Sequence, residues 1–174
     1  IKALNGKEKI GIIADYDVDG ATSAAILIKF LKKVSKKVIL KIPNRLEQGY
    51  GPNEEILDEL LSNKIDLLFT LDCGTSSFGI IDKQKYLVYD TIIIDHHISD
   101  FKFPNVFSII NPNRYDEIND FKDLAAVGVT FLFILAIRKS LRDKDYFIKN
   151  KIKEPNLLSY LDLVALGTVC DVVN

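Results

Sequence analysis

Four times this chain runs an apolar, β-prone stretch into a carboxylate. Ile10–Ala14 leads into Asp15-Tyr16-Asp17-Val18-Asp19-Gly20, Leu67–Leu71 into Asp72-Cys73-Gly74, and Ile92–Ile94 into Asp95-His96-His97. A fourth apolar run ends in Val169-Cys170-Asp171. Segments with helical periodicity lie between them. Strands that alternate with helices imply βαβ units: an α/β fold with a mostly parallel sheet, right-handed crossovers and helices on both faces. In such a sheet the carboxyl ends of the strands gather along one edge, where ligands bind. Acids from distant parts of the sequence then meet in one cleft. Crowded carboxylates repel one another and are costly to desolvate; a divalent cation relieves both costs. The pattern therefore reads as a metal site.

The spacing predicts strands at Lys9–Ala14, Val38–Ile42, Asp66–Leu71, Thr91–Ile94 and Val106–Ile110. Helices are expected from Gly20 to about Val34, at Asn53–Ser62 behind Pro52, near Phe78–Lys85, at Asp123–Leu141 and at about Asn156–Leu166, before Gly167. The fourth of these is apolar nearly all round, so deep burial is expected. Asp143–Glu154 reads as a polar linker or exposed helix. The 174 residues suffice for one domain with a substantial core. No apolar run approaches the roughly 20 residues of a membrane-spanning helix, so no membrane partner is expected. The chain lacks methionine altogether and reads as a piece of a longer protein.

The net charge of −1 gives no global basic signature of nucleic-acid binding, but acids at a metal site subtract charge that bound metal would return. The basic run Lys29–Lys37 reads as a solvated face. Cys73 and Cys170 match no zinc spacing and make no disulfide framework. They read as small packed thiols in a reducing, cytoplasmic compartment.

Each acid motif has its own chemistry. Asp15, Asp17 and Asp19 alternate, so in an extended segment they face the same way. Gly20 permits a tight exit and a helix start close behind, where an anion such as phosphate is favoured. D-x-D-x-D-G also suits a calcium loop, but the twelfth position of an EF-hand is Glu and here is Ile26. Asp72 is followed by Gly74-Thr75-Ser76, a small turn with room for a ligand. After Asp95, one histidine suits metal and the other suits phosphate contact or proton donation, because neighbouring strand residues point oppositely. Asp171, among valines, needs a partner, either a metal or a salt bridge. Oxygen ligands with imidazole favour Mn²⁺ or Mg²⁺ over Zn²⁺. Five or more carboxylates can hold two ions, the arrangement that cleaves phosphoesters.

Taken in order, D-Y-D-V-D-G, L-D-C-G, D-H-H and G-T-V-C-D-V-V resemble the motifs of the DHH phosphoesterase superfamily. Further matches are Pro43-Asn44-Arg45 with Gly49-Tyr50-Gly51, Ile110-Asn111-Pro112, and Leu124–Phe131. The closer similarity is to the branch of bacterial single-strand-specific 5′→3′ exonucleases. That resemblance implies a DHH catalytic domain over residues 1–174, followed in the whole protein by a DHHA1-like domain and an OB-fold. It implies Mn²⁺ or Mg²⁺, in two sites, on Asp17, Asp19, Asp72, His96 and Asp171, with Asp72 as the bridge. Asp15 binds or orients metal, and His97 lies near the scissile phosphate, as the catalytic pair. Arg45, Gly49, Tyr50 and Gly51 are the substrate-side candidates. The implied activity releases 5′-mononucleotides from single-stranded DNA in repair and recombination. The implied protein partners are a single-strand-binding protein and a helicase.

Two alternatives stay open. Relatives acting on short oligoribonucleotides or small nucleotides resemble His-x-x-x-Asp-x-Asp at the first motif, where this chain has Ile13. A non-catalytic scaffold would lose acids, and none is lost here.

Overall fold

The central strand shows why the sheet forms. Ile10-Gly11-Ile12-Ile13-Ala14 is buried along its whole length, as expected of a parallel strand covered on both faces. Ile10, Ile12 and Ala14 enter one apolar cluster, and Ile13 enters another on the opposite face. In this computed structural model, which describes residues 2–6, 8–34 and 37–173, five strands make one sheet. They are β1 (Ile10–Ala14), β2 (Val38–Lys41), β3 (Leu67–Leu71), β4 (Asp90–Ile94) and β5 (Ser108–Ile110). Their order is β2-β1-β3-β4-β5, and every pair is parallel. From β1 the chain steps outward to β2, then crosses back to β3 on the other side. The crevice between the carboxyl ends of β1 and β3 is therefore the topological switch point, where ligands bind in open α/β sheets.

Among the described residues six helices flank the sheet: α1 (Lys2–Asn5), α2 (Val18–Lys33), α3 (Glu54–Ser62), α4 (Ala126–Asp143), α5 (Tyr146–Lys149) and α6 (Leu161–Asp171). Residues of α2, α4 and α5 fill the core on one face, with Ile26, Leu27, Phe30 and Ile134 fully enclosed. Each such side chain contributes about 1.5–3 kcal/mol relative to exposure. Ile56, Leu57 and Leu60 of α3 fill the other face. A β-carbon on Gly167 of α6 would lie 2.3 Å from Thr22 Oγ1 and 2.8 Å from Val127. The bare glycine lets α6 settle against α2 and α4, which carries its last residue, Asp171, to the strand-end edge.

Several elements depart from expectation. The segment 78–85 is a run of turns with one 3₁₀ turn at Gln84–Tyr86, not a helix. Gly79 sits at φ +75° and its N–H donates to Asp82 Oδ1 at 2.6 Å, a local turn that competes with helix. Asp143–Glu154 is not simply polar linker: Tyr146 and Phe147 on α5 are buried in the core. The last helix starts as a 3₁₀ turn, Leu157–Tyr160, and runs through Gly167 to Asp171. The apolar run before Asp171 is thus helical: Gly167 packs closely on Thr22 and Val127, Leu163 and Val164 join the edge of the core, and this packing outweighs β propensity. α4 begins at Ala126 and is only half enclosed; Leu132 is 42% exposed, since the sheet and α2 cover one side only. Among the described residues no helix is long and apolar enough to cross a membrane.

Candidate metal centre

Strand register alone builds the first row of the site. Ala14 lies opposite Leu71, Leu71 opposite Ile94, and Ile94 opposite Ile110. The next residues, Asp15, Asp72, Asp95 and Asn111, therefore stand level along the carboxyl edge. The ladder continues one step into them: Asp15 N–H donates to Leu71 O, Asp72 N–H to Ile94 O and Asp95 N–H to Ile110 O, at 2.9–3.1 Å. All four are buried.

Asp72 is the centre of the row. Its backbone has φ +60°, a left-handed conformation that costs a non-glycine residue on the order of 1 kcal/mol and clusters at functional sites. The residue is 1% exposed, yet neither carboxylate oxygen has a hydrogen-bond partner. Burial first, then the negative charges of Asp19 and Asp17, push its carboxyl up to about 10. Burial likewise raises Asp15, whose Oδ1 is also unpartnered. His96 Nε2, equally unpartnered, lies 3.4 Å from Asp72 Oδ1, 3.7 Å from Asp19 Oδ2 and 3.7 Å from Asp171 Oδ2. Buried polar groups in folded proteins are almost always hydrogen-bonded, so this concentration of orphans needs a ligand.

The Asp15–Gly20 segment does not stay extended. The strand ends at Ala14, and Asp17 caps α2 by accepting from Gly20 N–H at 2.9 Å. A β-carbon on Gly20 would lie 2.5 Å from Asp15 O, so only glycine permits this entry. Asp19, in the first turn, points inward and accepts from Ala126 N–H at 2.6 Å and Val127 N–H at 2.8 Å. The start of α4 thus holds Asp19 as an anion at its positive end. Burial still raises the Asp19 carboxyl despite those bonds.

Asp95 organises the histidines. Its Oδ1 accepts from His96 N–H, His97 N–H and His97 Nδ1, the last at 2.8 Å, and its Oδ2 accepts from Thr75 N–H at 3.0 Å. Burial would raise its carboxyl, but the bonds from His97 and Thr75 win and hold it below the ordinary carboxylate range. An ionised Asp95 only accepts, so His97 Nδ1 carries the proton. That bond raises the pKa of His97 against the opposing effect of burial. Tyr50 donates to Asp72 O at 2.9 Å, and its oxygen lies 3.2 Å from His97 Nδ1. Because Asp95 turns the chain at once, the two histidines do not point oppositely; their ring centroids are 4.7 Å apart.

Three sets of side chains bring their ligand atoms within 4.8 Å of one another: Asp15–Asp17–Asp72, Asp19–His96–Asp171 and Asp72–His96–His97. Asp72 and His96 each belong to two sets. Every residue singled out for metal in the sequence is therefore present, Asp171 from a helix end instead of a strand end. Of the substrate-side candidates, Arg45 is exposed with its guanidinium 5.3 Å above the Tyr16 ring, beside the first motif. Gly49 and Gly51 have φ +74° and +73° and form the loop that delivers Tyr50. Sequence reasoning missed Thr75, Asn111, Asn113 and the backbone of Ala126 and Val127. Ile110-Asn111-Pro112 stood out only as a strand end that matches a family motif, with no role attached to its asparagine, and a backbone donor leaves no mark on residue type.

The comparisons with known proteins agree with this geometry. The model of the DHH family, N-terminal domain, matches residues 9–168. The single-stranded-DNA-specific exonuclease RecJ of Salmonella typhimurium is 41% identical over 166 residues, 95% of this chain and 29% of the relative. A crystal structure of exonuclease RecJ bound to manganese superposes with a TM-score of 0.82 at 31% identity, covering 99% of this chain and 41% of that one. RecJ from Thermus thermophilus in complex with Mn²⁺ gives 0.74 at 29% identity, covering 99% and 23%. The chain thus spans less than a third of the length of the curated relative. With the sheet order, the row of strand-end acids and the family match in hand, the chain belongs to the DHH family and carries its N-terminal domain.

Proposed function

We propose that this domain is the metal-dependent hydrolytic centre of a single-strand-specific 5′→3′ DNA exonuclease that releases 5′-mononucleotides. One observation carries the reading: Asp72 is enclosed with both carboxylate oxygens unpartnered, facing an unpartnered His96 Nε2 and flanked by Asp15, Asp17, Asp19 and Asp171. The donor set, carboxylates with imidazole, fits Mn²⁺ or Mg²⁺. Asp17, Asp19, Asp72, His96 and Asp171 would hold two ions, with Asp72 shared and Asp15 binding or orienting beside it. Such ions supply Lewis acidity that activates water and neutralises charge on a phosphodiester.

The chain's own residues do the rest. Asp95 fixes the His97 tautomer, so Nδ1–H is committed and Nε2 makes no hydrogen bond among the described residues. The raised pKa of His97 favours the protonated ring, suited to stabilising phosphate charge or handing a proton to the leaving oxygen. Tyr50 braces that ring against the Asp72 backbone. Arg45, exposed beside Asp15, suits a phosphate of the incoming strand. The small-nucleotide alternative fares worse, since Ile13 is fully enclosed in the cluster under α3 and offers no ligand. Single-stranded DNA is the proposed partner, a single-strand-binding protein and a helicase the candidate protein partners, and the cytoplasm the compartment.

The test uses the full-length protein on a long strand labelled at either end. Metal-dependent loss of the 5′ label first, abolished by Asp72→Ala, supports the reading. Preference for dinucleotides, or turnover that survives Asp72→Ala, overturns it.

A further inference from the structure

The far wall of the site rests on an edge strand of only three residues, β5, so backbone ladder bonds stop just where the histidines begin. The segment after Asp95 has no regular structure, and its carbonyls need donors. Two side-chain amides supply them. Asn111 Nδ2, on a 4% exposed residue, donates to His97 O at 2.9 Å and Thr75 Oγ1 at 3.0 Å. Asn113 Nδ2 donates to His96 O at 2.6 Å and Lys122 O at 3.0 Å. The two asparagines are themselves tied, Asn113 N–H donating to Asn111 Oδ1 at 2.8 Å.

These contacts close a ring. Lys122 lies four residues before Ala126, whose N–H holds Asp19. Asp19 faces His96 Nε2, and His96 returns through its carbonyl to Asn113. Thr75, bonded to Asn111, donates its N–H to Asp95, which holds His97. One asparagine turn therefore sets the positions of both histidines relative to Asp72 and Asp19.

We propose that Asn111 and Asn113 are positioning residues that clasp the His96–His97 segment onto the metal centre. The proposal deepens the metal-dependent reading above and rests on it for its functional consequence. Asn111→Asp keeps the acceptor for Asn113 N–H but loses both donations, and Asn111→Ala loses all three bonds. Partners in the shell behind metal ligands typically carry 10–100-fold in affinity, so either variant should weaken Mn²⁺ binding by about that factor. In the full-length protein kcat should fall while KM for the strand is unchanged.

A second measurement needs no metal. Loss of two bonds worth about 1 kcal/mol each predicts that the backbone amides of His96 and His97 exchange with solvent roughly tenfold faster or more. Mn²⁺ affinity by calorimetry and amide exchange by NMR are compared for parent and variants. Weakened binding with faster exchange at His96 and His97, the rest of the fold unchanged, supports the clasp. Unchanged exchange, or affinity within about twofold of the parent, overturns it. Should Asn111→Ala unfold the chain, Asn113→Ala, at a half-buried position, decides by the same two readings. A parent chain that bound no Mn²⁺ would sink the metal reading, and the exchange arm would still decide the clasp.

Discussion

Replacing Asp72 with asparagine should make the metal-free protein more stable while destroying its metal site. The buried Asp72 carboxyl is pushed up to about 10 by burial and by Asp19 and Asp17. An unfolded aspartate titrates near 3.9, so at about pH 8 the folded state holds a proton that the unfolded state has released. That gap of about four pKa units costs about 5 kcal/mol. Asparagine carries no such proton, but its amide inherits the unpartnered surroundings of the carboxylate, at about 1–3 kcal/mol. Asp72→Asn should therefore gain about 2–4 kcal/mol at about pH 8 in chelator and lose about 1–2 kcal/mol at about pH 4, where the unfolded aspartate is itself largely protonated and only the amide penalty is left. With saturating Mn²⁺ the order reverses, because metal binds and stabilises only the parent. Urea unfolding of both proteins with and without metal reads all four values. A variant less stable than the parent in chelator at both pH values would refute the argument that Asp72 is an uncompensated buried acid.

The remaining predictions rest on the same geometry. Metal-free stability of the parent should fall as pH rises from about 5 to 8: Asp72, Asp15 and Asp19 with raised pKa bind more protons folded than unfolded, and His97 adds the same sign. The lowered acids, Asp95 at the site and Glu54, Asp58, Asp116 and Glu154 on the surface, carry the opposite sign, but their contribution is lost only as pH falls below the ordinary carboxylate range, so denaturation scans across pH check the slope. Metal binding near neutral pH should release a proton from the Asp72 site, seen as a buffer-dependent calorimetric enthalpy. His97→Ala in the full-length protein should cost about 100-fold or more in kcat with Mn²⁺ affinity nearly kept; single-turnover kinetics beside calorimetry separates the two. Gly20→Ala forces a β-carbon to 2.5 Å from Asp15 O and should destabilise by about 1–3 kcal/mol, measured in urea.

Much of this molecule was legible because its information is local. A buried parallel strand such as Ile10–Ala14 needs apolar residues throughout, and a carboxylate just after it is conspicuous. Once parallel pairing is assumed, register alone aligns Asp15, Asp72 and Asp95. Asp171 reaches the strand-end edge by a route that its sequence does not display. Its valines suggested a strand, whereas tertiary packing through Gly167 makes α6 helical and carries the acid to the same edge. The orientation of His97 was hidden because it depends on where β4 ends, and Asp95 ends it by accepting three bonds from the residues that follow. The clasp of Asn111 and Asn113 on the histidines and the grip of α4 on Asp19 join residues 14 to 108 positions apart, a relation no residue pattern displays.

The central claim, that four distant motifs assemble one two-metal centre, is tested most directly by anomalous diffraction at the manganese edge from crystals of this chain grown with Mn²⁺. The account predicts two peaks roughly 3.5–4 Å apart, one among Asp15, Asp17 and Asp72 and one among Asp19, His96 and Asp171, with Asp72 touching both. A fully loaded crystal with a single peak, or with peaks away from Asp72, would contradict it.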